Sequence, residues 1–374
     1  MTTDGIGLYI HIPFCVSKCK YCDFASFGGL SESVRGKYIS ALISELEGYK
    51  REPKILIDTV FFGGGTPSLL SEGNMEKILS KARECFDISE NAEITVEVNP
   101  KTAEYDKLSA FRTLGVNRLS IGLQSIHENE LKKLGRIHTF DDFLSTFKTA
   151  REVGFNNISV DIMYGIPEQT VDSFKETLDT LIALNPEHIS SYGLIIEEGT
   201  PFFESRDTLP LPDEDTEELM YRMAVERLAS AGYSHYEISN YAKDGFTCRH
   251  NLKYWRDEEY IGVGLAAYSY FEGVRFGNTR NFSEYISAPT NARADTEHLT
   301  AEDEAYEYAM MRLRLSEGIS LSDYRERFSV DFLTSRREGI EKYVGAGLLS
   351  LNGDRVSLTD AGFYLSNTIM SELL

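Results

Sequence analysis

Three cysteines near the start of the chain have the spacing of a metal-cluster site. Cys15, Cys19 and Cys22 form a Cys-x-x-x-Cys-x-x-Cys pattern directly after an apolar run that predicts a β-strand. A loop leaving a strand end can wrap three thiolates around one cluster, and thiolates suit iron–sulfur chemistry. Structural zinc prefers four protein ligands, and His11 is the further candidate close by. The pattern favours a [4Fe–4S] cluster with one open iron over zinc or unligated core thiols.

Polar residues and glycines follow the ends of later predicted strands. The run Gly63–Pro67 (GGGTP) follows the second strand, Glu97 ends the third, Gln124 follows the fourth and Asp161 lies near the end of the fifth. Arg136 lies in a loop after a short helix. In units that alternate strand and helix, ligand groups gather at the C-terminal ends of the strands, and glycines let the backbone approach a ligand. These positions therefore predict a polar binding site beside the cysteine loop.

The elements that must position these residues alternate in type along the first half of the chain. Short apolar runs predict six strands, which are Leu8–Pro13, Thr59–Phe62, Glu93–Val98, Arg118–Leu123, Ile158–Met163 and His188–Tyr192. Amphipathic stretches predict the helices between them, including Ser33–Tyr49, Met75–Cys85 and Val171–Leu184. This alternation predicts parallel strands with right-handed helical crossovers. Six units are fewer than the eight of the common closed barrel, so we expect an α/β fold with a partial, open (β/α)6 barrel.

Composition divides the rest of the chain. The acidic segment LPLPDEDTEE at 209–218 marks a boundary, so residues 1–210 are expected to form the barrel, and a predicted helix, Glu217–Ala231, follows. Residues 211–299 form an aromatic-rich extension. Residues 300–374 read as three helices and a hairpin through Asn352-Gly353, which resembles an α+β winged-helix module. This last part holds 8 Lys and Arg against 13 Asp and Glu, which favours packing or protein contact over DNA reading.

The overall charge and hydropathy exclude some classes of partner. The chain has 374 residues and a formal net charge of -21, a field that repels nucleic acid because phosphate binding relies on clustered Lys and Arg. No run approaches the roughly 20 apolar residues of a membrane span, and no signal peptide precedes the first strand. We therefore expect a cytoplasmic protein without nucleic-acid or membrane partners, in which cysteines are ligands or core rather than disulfides.

The segment around the cysteines resembles a known superfamily. The sequence YIHIPFCVSKCKYCDF is similar to the radical S-adenosylmethionine superfamily, in its coproporphyrinogen-dehydrogenase-like branch. The resemblance implies a [4Fe–4S] cluster whose open iron is chelated by the methionine moiety of S-adenosylmethionine. It also implies reductive cleavage of that cofactor to a 5′-deoxyadenosyl radical, with a reductant such as flavodoxin or ferredoxin. It covers nearly the whole chain, from Tyr9 to the C-terminal module.

The same resemblance implies roles for residues beyond the cysteines. Tyr9, Gly64 and Glu97 match positions that bind the S-adenosylmethionine on the cluster. Positions that hold a second S-adenosylmethionine in the dehydrogenases are matched here by Gly65, Thr66, Gln124, Arg136 and Asp161.

Two departures argue against the dehydrogenase activity itself. Those enzymes carry a fourth cysteine two residues after the third, where this chain has Phe24. They also carry a long extension before the first strand, where this chain has a few residues before Leu8. These departures put decarboxylation of coproporphyrinogen III in doubt and assign no catalytic residue.

A second block has its own resemblance. His250-Asn251-Leu252-Lys253-Tyr254-Trp255 has the pattern HNxxYW, which is similar to the HemW branch of heme chaperones. The block offers an imidazole for heme iron and aromatic faces for a porphyrin. Its cations Arg249, Lys253 and Arg256 are candidates for heme propionates. His250 is thus predicted to contact heme, with a core histidine as the alternative and with His11, His235 and tyrosines as other candidate ligands.

Three functions remain open from the sequence. The preferred one is a heme chaperone that binds heme and passes it to acceptor hemoproteins, using a [4Fe–4S] cluster and S-adenosylmethionine. The alternative is an oxygen-independent coproporphyrinogen III dehydrogenase of porphyrin biosynthesis, and the third is a radical enzyme acting on another substrate. Of the remaining cysteines, Cys85 is expected in the core and Cys248 is expected to be structural.

Overall fold

The computed structural model describes residues 5–374. Its strands are β1 (Ile6–Ile12), β2 (Phe14–Cys15), β3 (Phe27–Gly28), β4 (Leu56–Gly64), β5 (Asp87–Val98), β6 (Arg118–Gln124), β7 (Ile158–Tyr164), β8 (His188–Gly193), β9 (Ser234–Glu237), β10 (Asn240–Ala242), β11 (Tyr260–Val263), β12 (Tyr268–Phe271), β13 (Val274–Asn278), β14 (Arg293–His298), β15 (Ile319–Ser320), β16 (Leu349–Asn352) and β17 (Arg355–Leu358). Its α-helices are α1 (Glu32–Glu47), α2 (Glu72–Cys85), α3 (Tyr105–Thr113), α4 (Glu128–Leu134), α5 (Phe140–Val153), α6 (Val171–Leu184), α7 (Pro201–Glu204), α8 (Glu214–Ser230), α9 (Arg249–Trp255), α10 (Phe282–Ser287), α11 (Ala301–Arg312), α12 (Leu321–Phe328), α13 (Phe332–Ser335), α14 (Arg337–Gly345), α15 (Asp360–Tyr364) and α16 (Ser366–Leu373). Short 3-10 helices lie at Pro67–Leu69, Arg206–Thr208 and Pro289–Asn291.

Six parallel strands form the centre of a twelve-stranded sheet. They lie in the order β1-β4-β5-β6-β7-β8, which is also their order along the chain once the short β2 and β3 are set aside. Helices cross over between them, so side chains cover both faces, and β6 is buried along its whole length. The sheet does not close on itself. The expectation of a partial, open (β/α)6 barrel is confirmed.

Capping residues define the ends of the crossover helices. Thr139 and Asp142 form a capping box at the start of α5, and Thr170 and Ser173 do the same for α6. Gly154 closes α5 in the left-handed conformation, which glycine adopts without strain. Helix α6 begins seven residues after the end of β7, whereas the short helix α4 lies between β6 and α5.

The aromatic-rich extension lengthens the sheet at both edges. Antiparallel β10 and β9 follow β8 on one edge, and β11 pairs parallel with β1 on the other edge. Antiparallel β12, β13 and β14 then continue outward from β11. The sequence pattern did not predict these strands. The domain boundaries at 210/211 and 299/300 stay predictions.

The C-terminal module has the expected hairpin, preceded by four helices where three were expected and followed by α15 and α16. Helices α11 to α14 precede β16 and β17, which pair antiparallel through the turn at Asn352-Gly353, and β15 completes a small sheet. A separate core, which includes Tyr308, Ile340 and Phe363, holds the module together. A backbone hydrogen bond joins it to β9 at the edge of the large sheet, where the Ser316 amide donates to the Tyr236 carbonyl.

No helix within residues 5–374 is both long enough and apolar enough to cross a membrane.

Candidate functional site: a cysteine-lined cavity at the strand ends

The three motif cysteines lie in one loop at the C-terminal end of β1. Cys15 ends the short strand β2, which pairs with β3 so that Cys15 lies opposite Gly28. The Cys22 amide donates to the Cys19 carbonyl, which folds the rest of the loop back on itself. All three thiols are free, and all three line a cavity of about 320 Å³. We call this the cysteine cavity.

The donor set fits an iron–sulfur cluster. Burial raises the pKa of the Cys22 thiol to about 11, so without a metal this side chain is a neutral thiol at physiological pH. Iron binding replaces that proton, as for any thiolate ligand. Within residues 5–374 no three His, Cys, Asp or Glu side chains converge as ligands of a single metal ion would. A [4Fe–4S] cluster takes one thiolate per iron, so its three cysteines need not converge on one point.

Glu97 and the glycine turn after β4 form the wall next to the cysteines. Glu97 lies at the end of β5, and its Oε2 accepts a hydrogen bond from the Gly64 amide at 3.1 Å. Burial and the neighbouring Asp161 carboxylate raise the pKa of Glu97 to about 8. The Gly64 amide holds the Glu97 carboxylate in place, and burial disfavours a negative charge there unless a cation lies beside it. A bound cation would therefore stabilise the charged form of Glu97.

Close packing requires glycine at two positions of this turn, in addition to the access that glycine gives to a ligand. Gly64 has φ of +109°, and a Cβ there would lie 2.4 Å from the His11 ring. A Cβ on Gly65 would lie 2.7 Å from the Phe14 carbonyl oxygen. Thr66 then turns its hydroxyl toward Cys15, with Oγ1 3.8 Å from the sulfur. The turn is therefore pressed directly against the cysteine loop.

Arg136, Gln124 and Asp161 form another part of the cavity wall. Arg136 places Nη1 3.7 Å from the Cys19 sulfur, while Nη2 donates to the Gly122 carbonyl at 2.9 Å. Gln124 is buried and has φ of +69°, an uncommon conformation for a residue with a side chain. Asp161 accepts a hydrogen bond from the Ser120 hydroxyl at 3.0 Å. All three residues line the cysteine cavity together with the three cysteines, Gly64, Gly65, Thr66 and Glu97.

Sequence reasoning missed Asn99, which connects the turn at Thr66 to Arg136. Asn99 donates from Nδ2 to the Thr66 hydroxyl at 2.8 Å and accepts from Arg136 Nη2 at 2.8 Å. It lies two residues after Glu97, just past the end of β5, and its position at a strand end was a signal that could have found it. The cavity is also lined by Tyr21, Ser120, Met163 and Tyr192, which nothing in the sequence pattern singled out.

Tyr9 is placed apart from the other predicted residues. Its hydroxyl hydrogen-bonds to His11 Nδ1 at 3.0 Å, and His11 Nε2 bonds to the Ala25 carbonyl at 2.8 Å. Tyr9 lines a second cavity of about 380 Å³, on the other side of the segment that follows Cys22. We call this second space the aromatic cavity. The predicted contact of Tyr9 with S-adenosylmethionine stays a prediction.

His250 is buried between hydrogen-bonding partners. Its side chain is 1% exposed, Nδ1 bonds to the Thr59 hydroxyl at 2.9 Å, and Nε2 bonds to the Tyr254 hydroxyl at 2.9 Å. Burial lowers the pKa of His250 to about 3, so the ring is neutral. In this arrangement neither ring nitrogen is available to iron, and ligation would require breaking one of these bonds. The geometry matches the alternative of a satisfied core histidine, and the heme contact stays a prediction.

The cations of the HNxxYW block are also engaged within the protein. Lys253 is buried and forms an ion pair with Asp58 at 2.9 Å. Arg249 donates to the Asn91 carbonyl at 2.9 Å, and Arg256 pairs with Glu317 at 3.2 Å. Each therefore ties α9 to a neighbouring element, and as placed none is an open partner for a heme propionate.

The two remaining cysteines lie in the core. Cys85 is buried on α2, and Cys248 is buried with its sulfur 3.7 Å from Glu93 Oε1, to which the thiol donates. Neither lines the cysteine cavity.

Comparison with known proteins identifies the class and then the family. The sequence pattern of the Radical SAM superfamily matches residues 9–181, and that of the HemN C-terminal domain matches residues 299–365. A solved structure titled as coproporphyrinogen III oxidase (HemN) from Escherichia coli, a radical SAM enzyme, superposes with a TM-score of 0.84. That likeness covers 98% of this chain and 89% of the other at 23% identity, so it establishes the fold. Fold and site together define a radical SAM protein.

Full-length relatives narrow the class further. The chain is 34% identical over 369 residues to the protein named heme chaperone HemW of Lactococcus lactis subsp. lactis, covering 98% of this chain and 96% of that protein. It is 36% identical over 382 residues to the protein of the same name from Escherichia coli, covering 99% and 98%. The chain belongs to the HemW family.

Proposed function

We propose that this protein is a heme chaperone, which binds heme and transfers it to acceptor hemoproteins. The observation that carries the proposal is the similarity, along nearly the whole chain, to proteins named heme chaperone HemW in several bacteria. The proposal places the protein in the cytoplasm. It takes heme and acceptor hemoproteins as partners, with flavodoxin or ferredoxin as a source of electrons.

The residues of the cysteine cavity support the cofactors of this proposal. When bound, a [4Fe–4S] cluster supplies the single electron that reductively cleaves the sulfonium of S-adenosylmethionine. Cys15, Cys19 and Cys22 would hold three irons through their thiolates. Glu97, oriented by the Gly64 amide, would accept hydrogen bonds from the amino group of the methionine moiety. Arg136, close to the Cys19 sulfur, would offset the negative charge of the thiolates.

The positions that match a second S-adenosylmethionine in the dehydrogenases lie in the same cavity. Gly65, Thr66, Gln124, Arg136 and Asp161 all line it, and its volume is about 320 Å³. This places the five residues around one space, and a second cofactor molecule there stays a prediction.

Phe24 argues against the dehydrogenase alternative. It occupies the position of the fourth cysteine of those enzymes, and it lies at the rim of the cysteine cavity with 60% of its surface exposed. A phenyl ring offers an apolar surface and no proton, redox or ligand chemistry. This side of the cavity therefore favours contact with a flat apolar molecule over turnover.

A turnover assay separates the two functions. Protein reconstituted without oxygen would receive S-adenosylmethionine, a reductant and coproporphyrinogen III, with the porphyrin products followed by chromatography. We expect no steady formation of protoporphyrinogen IX by the wild type or by Phe24→Cys. The same preparation should bind added hemin with a Soret band distinct from that of free hemin. Steady turnover by the wild type would replace the chaperone proposal with the dehydrogenase.

A further inference from the structure

The aromatic cavity lies directly behind the cysteine loop. Tyrosines from four places in the chain contribute to its lining, together with the segment Asp23–Ala25 that follows Cys22. The tyrosines are Tyr9, Tyr254, Tyr260 and Tyr268, and Arg280 also lines the cavity. Its volume of about 380 Å³ falls at the lower end of the ~300–1,000 Å³ of small-molecule pockets, so a large flat ligand would keep one edge in solvent.

Phe24 belongs to both cavities. It lines the cysteine cavity on one side and the aromatic cavity on the other. Tyr268 also exposes a large part of its ring, 46%, to the aromatic cavity and solvent. Exposed aromatic rings of this size in a cavity are typical of sites that stack against a planar molecule.

Two cations hold the same segment. Lys18 Nζ donates to the Phe24 carbonyl at 2.9 Å, and Arg280 Nη2 approaches the Asp23 carbonyl at 3.4 Å. They therefore bind consecutive carbonyl groups of the wall that carries the Phe24 ring. Neither cation forms an ion pair with a carboxylate anywhere in the described part of the chain. Lys18 lines the cysteine cavity, whereas Arg280 lines the aromatic cavity. In a protein of net charge -21, a cation without an anionic partner on the wall of an aromatic cavity marks a place for an anionic ligand.

Tyr254 connects this cavity to the HNxxYW block. Its ring lines the cavity, it packs edge-on against Tyr260 at 4.6 Å between centroids, and its hydroxyl is bonded to His250 Nε2. His250 in turn stacks on Phe61 at 5.2 Å and bonds to Thr59, so it fixes the orientation of Tyr254. The block can therefore shape the cavity wall without His250 touching a ligand.

We propose that the aromatic cavity is a docking site for heme, a planar tetrapyrrole with two carboxylates. The ring lies against Phe24 and Tyr268, and a propionate pairs with Arg280. Tyr254, oriented by His250, forms part of the wall. The site deepens the proposed function and rests on it, since heme is the ligand that the chaperone carries. Its exposed edge suits a ligand that must be released to another protein.

A charge reversal at Arg280 tests the site. Hemin would be titrated anaerobically into cluster-reconstituted wild type and Arg280→Glu, with affinity read from the Soret band. We expect the variant to bind hemin at least tenfold more weakly, because an attractive contact to a propionate becomes repulsive. Tyr268→Ser should weaken binding several-fold by removing ring contact. Iron content and thermal unfolding midpoint of both variants should match those of the wild type.

Arg355 offers a matched control. It is exposed, donates to a backbone carbonyl (Glu317) at 3.0 Å, and lies in the C-terminal module away from both cavities. Arg355→Glu makes the same change in net charge and should leave hemin affinity unchanged. Added salt should weaken binding more in the wild type than in Arg280→Glu, since the wild type has the additional ion pair to screen.

The results of these experiments distinguish failure of the proposed heme site from failure of the proposed chaperone function. Equal hemin affinity in wild type and Arg280→Glu, or equal loss in Arg280→Glu and Arg355→Glu, would overturn the docking site while leaving a heme-binding protein. Failure of the wild type to bind hemin at all would instead overturn the proposed function.

Discussion

At the scale of single residues, the cysteine motif was the most informative feature of the sequence. Cys15, Cys19 and Cys22 were predicted to act together, and the structure places all three on one cavity. The three residues lie within eight positions of one loop, so spacing alone limits their separation, and their role as cluster ligands stays a prediction. The assignment of these thiols as cluster ligands still awaits a measurement of bound iron.

Replacement of any one motif cysteine should remove most of the bound iron. Protein purified without oxygen should hold about four irons per chain, and Cys15→Ala, Cys19→Ala or Cys22→Ala each removes one ligand of the cluster. Iron and sulfide analysis measures the loss. Cys85→Ala is the matched control because Cys85 is buried on α2, away from the cavity. Loss of iron from Cys85→Ala equal to that from the motif variants would show that the ligands are misassigned.

Glu97→Gln should weaken S-adenosylmethionine binding by about tenfold or more while iron content is kept. The amide keeps the shape of the side chain and can still accept from Gly64, but it loses the charge that would pair with the cofactor's ammonium, a contact of roughly 1.5–3 kcal/mol. Equilibrium dialysis or calorimetry measures the affinity. Glu90→Gln, an exposed change on the same strand, should have no effect. Unchanged affinity in Glu97→Gln would remove Glu97 from the site.

Gly64 would be a poorer choice for that experiment. A Cβ at this position meets the His11 ring at 2.4 Å and strains a backbone with φ of +109°, so Gly64→Val would disturb the fold as well as the cofactor. The sequence showed that a glycine stands at the end of a strand. It did not show that His11 packs against it.

At the scale of elements, the strands and helices that repeat a clear pattern were predicted and the irregular ones were not. Helix α6 was predicted as Val171–Leu184 and is found over those residues, since its apolar period and its Thr170 cap agree. Strands β11 and β12 were missed, because four-residue aromatic runs broken by glycine give little periodicity. The pairing of β11 with distant β1 is a tertiary event that local sequence does not encode.

The side-chain contacts of the HNxxYW block could not be predicted from local sequence either. Its helix, α9, packs beside β4, and this contact buries His250 against Thr59. The sequence displayed an imidazole, two aromatic rings and three cations that looked available. The ion pairs and hydrogen bonds that occupy them come from residues up to 248 positions away, as for the Gly5 carbonyl that accepts from Lys253.

A buried carboxyl group at the contact between β9 and the C-terminal module should make the stability of the protein depend on pH. Glu237 is fully buried there, and Asn240, Ser239, Arg314 and Trp255 only partly offset the effect of burial on its pKa. Burial raises the pKa of Glu237 to about 7, from an ordinary value of 4.5. The folded state therefore holds the proton more tightly than the unfolded state, so stability is lost as pH rises from about 4.5 through 7.

Glu237→Gln should therefore be more stable than the wild type at pH 8. A pKa raised from 4.5 to about 7 corresponds to roughly 3 kcal/mol, or several degrees in the unfolding midpoint, and the difference should shrink toward pH 5. Thermal unfolding of both proteins at the two pH values provides the test. Glu226→Gln, an exposed change on α8, should show no such dependence. A Gln variant that is less stable than wild type at pH 8 would mean that the carboxylate is charged and stabilised.

At the scale of the whole molecule, the acidic surface and the two adjacent cavities form one functional arrangement. The net charge of -21 repels other polyanions, so an anionic ligand such as heme must find local cations. Lys18 and Arg280 lie where the cysteine and aromatic cavities share the Phe24 wall. The cofactor site and the proposed heme site are thus separated by a single segment of chain, and events in one are in a position to affect release from the other.

The most direct test of the central claim is heme transfer by the intact protein. Reconstituted, heme-loaded protein would be mixed anaerobically with an apo form of a b-type hemoprotein, with S-adenosylmethionine and a reductant present or omitted. The chaperone account predicts that the acceptor gains its own Soret spectrum faster than from free hemin at equal concentration. It also predicts that Arg280→Glu, loaded less fully, transfers less heme than Arg355→Glu. Transfer no faster than from free hemin, together with conversion of coproporphyrinogen III by the same preparation, would contradict the account.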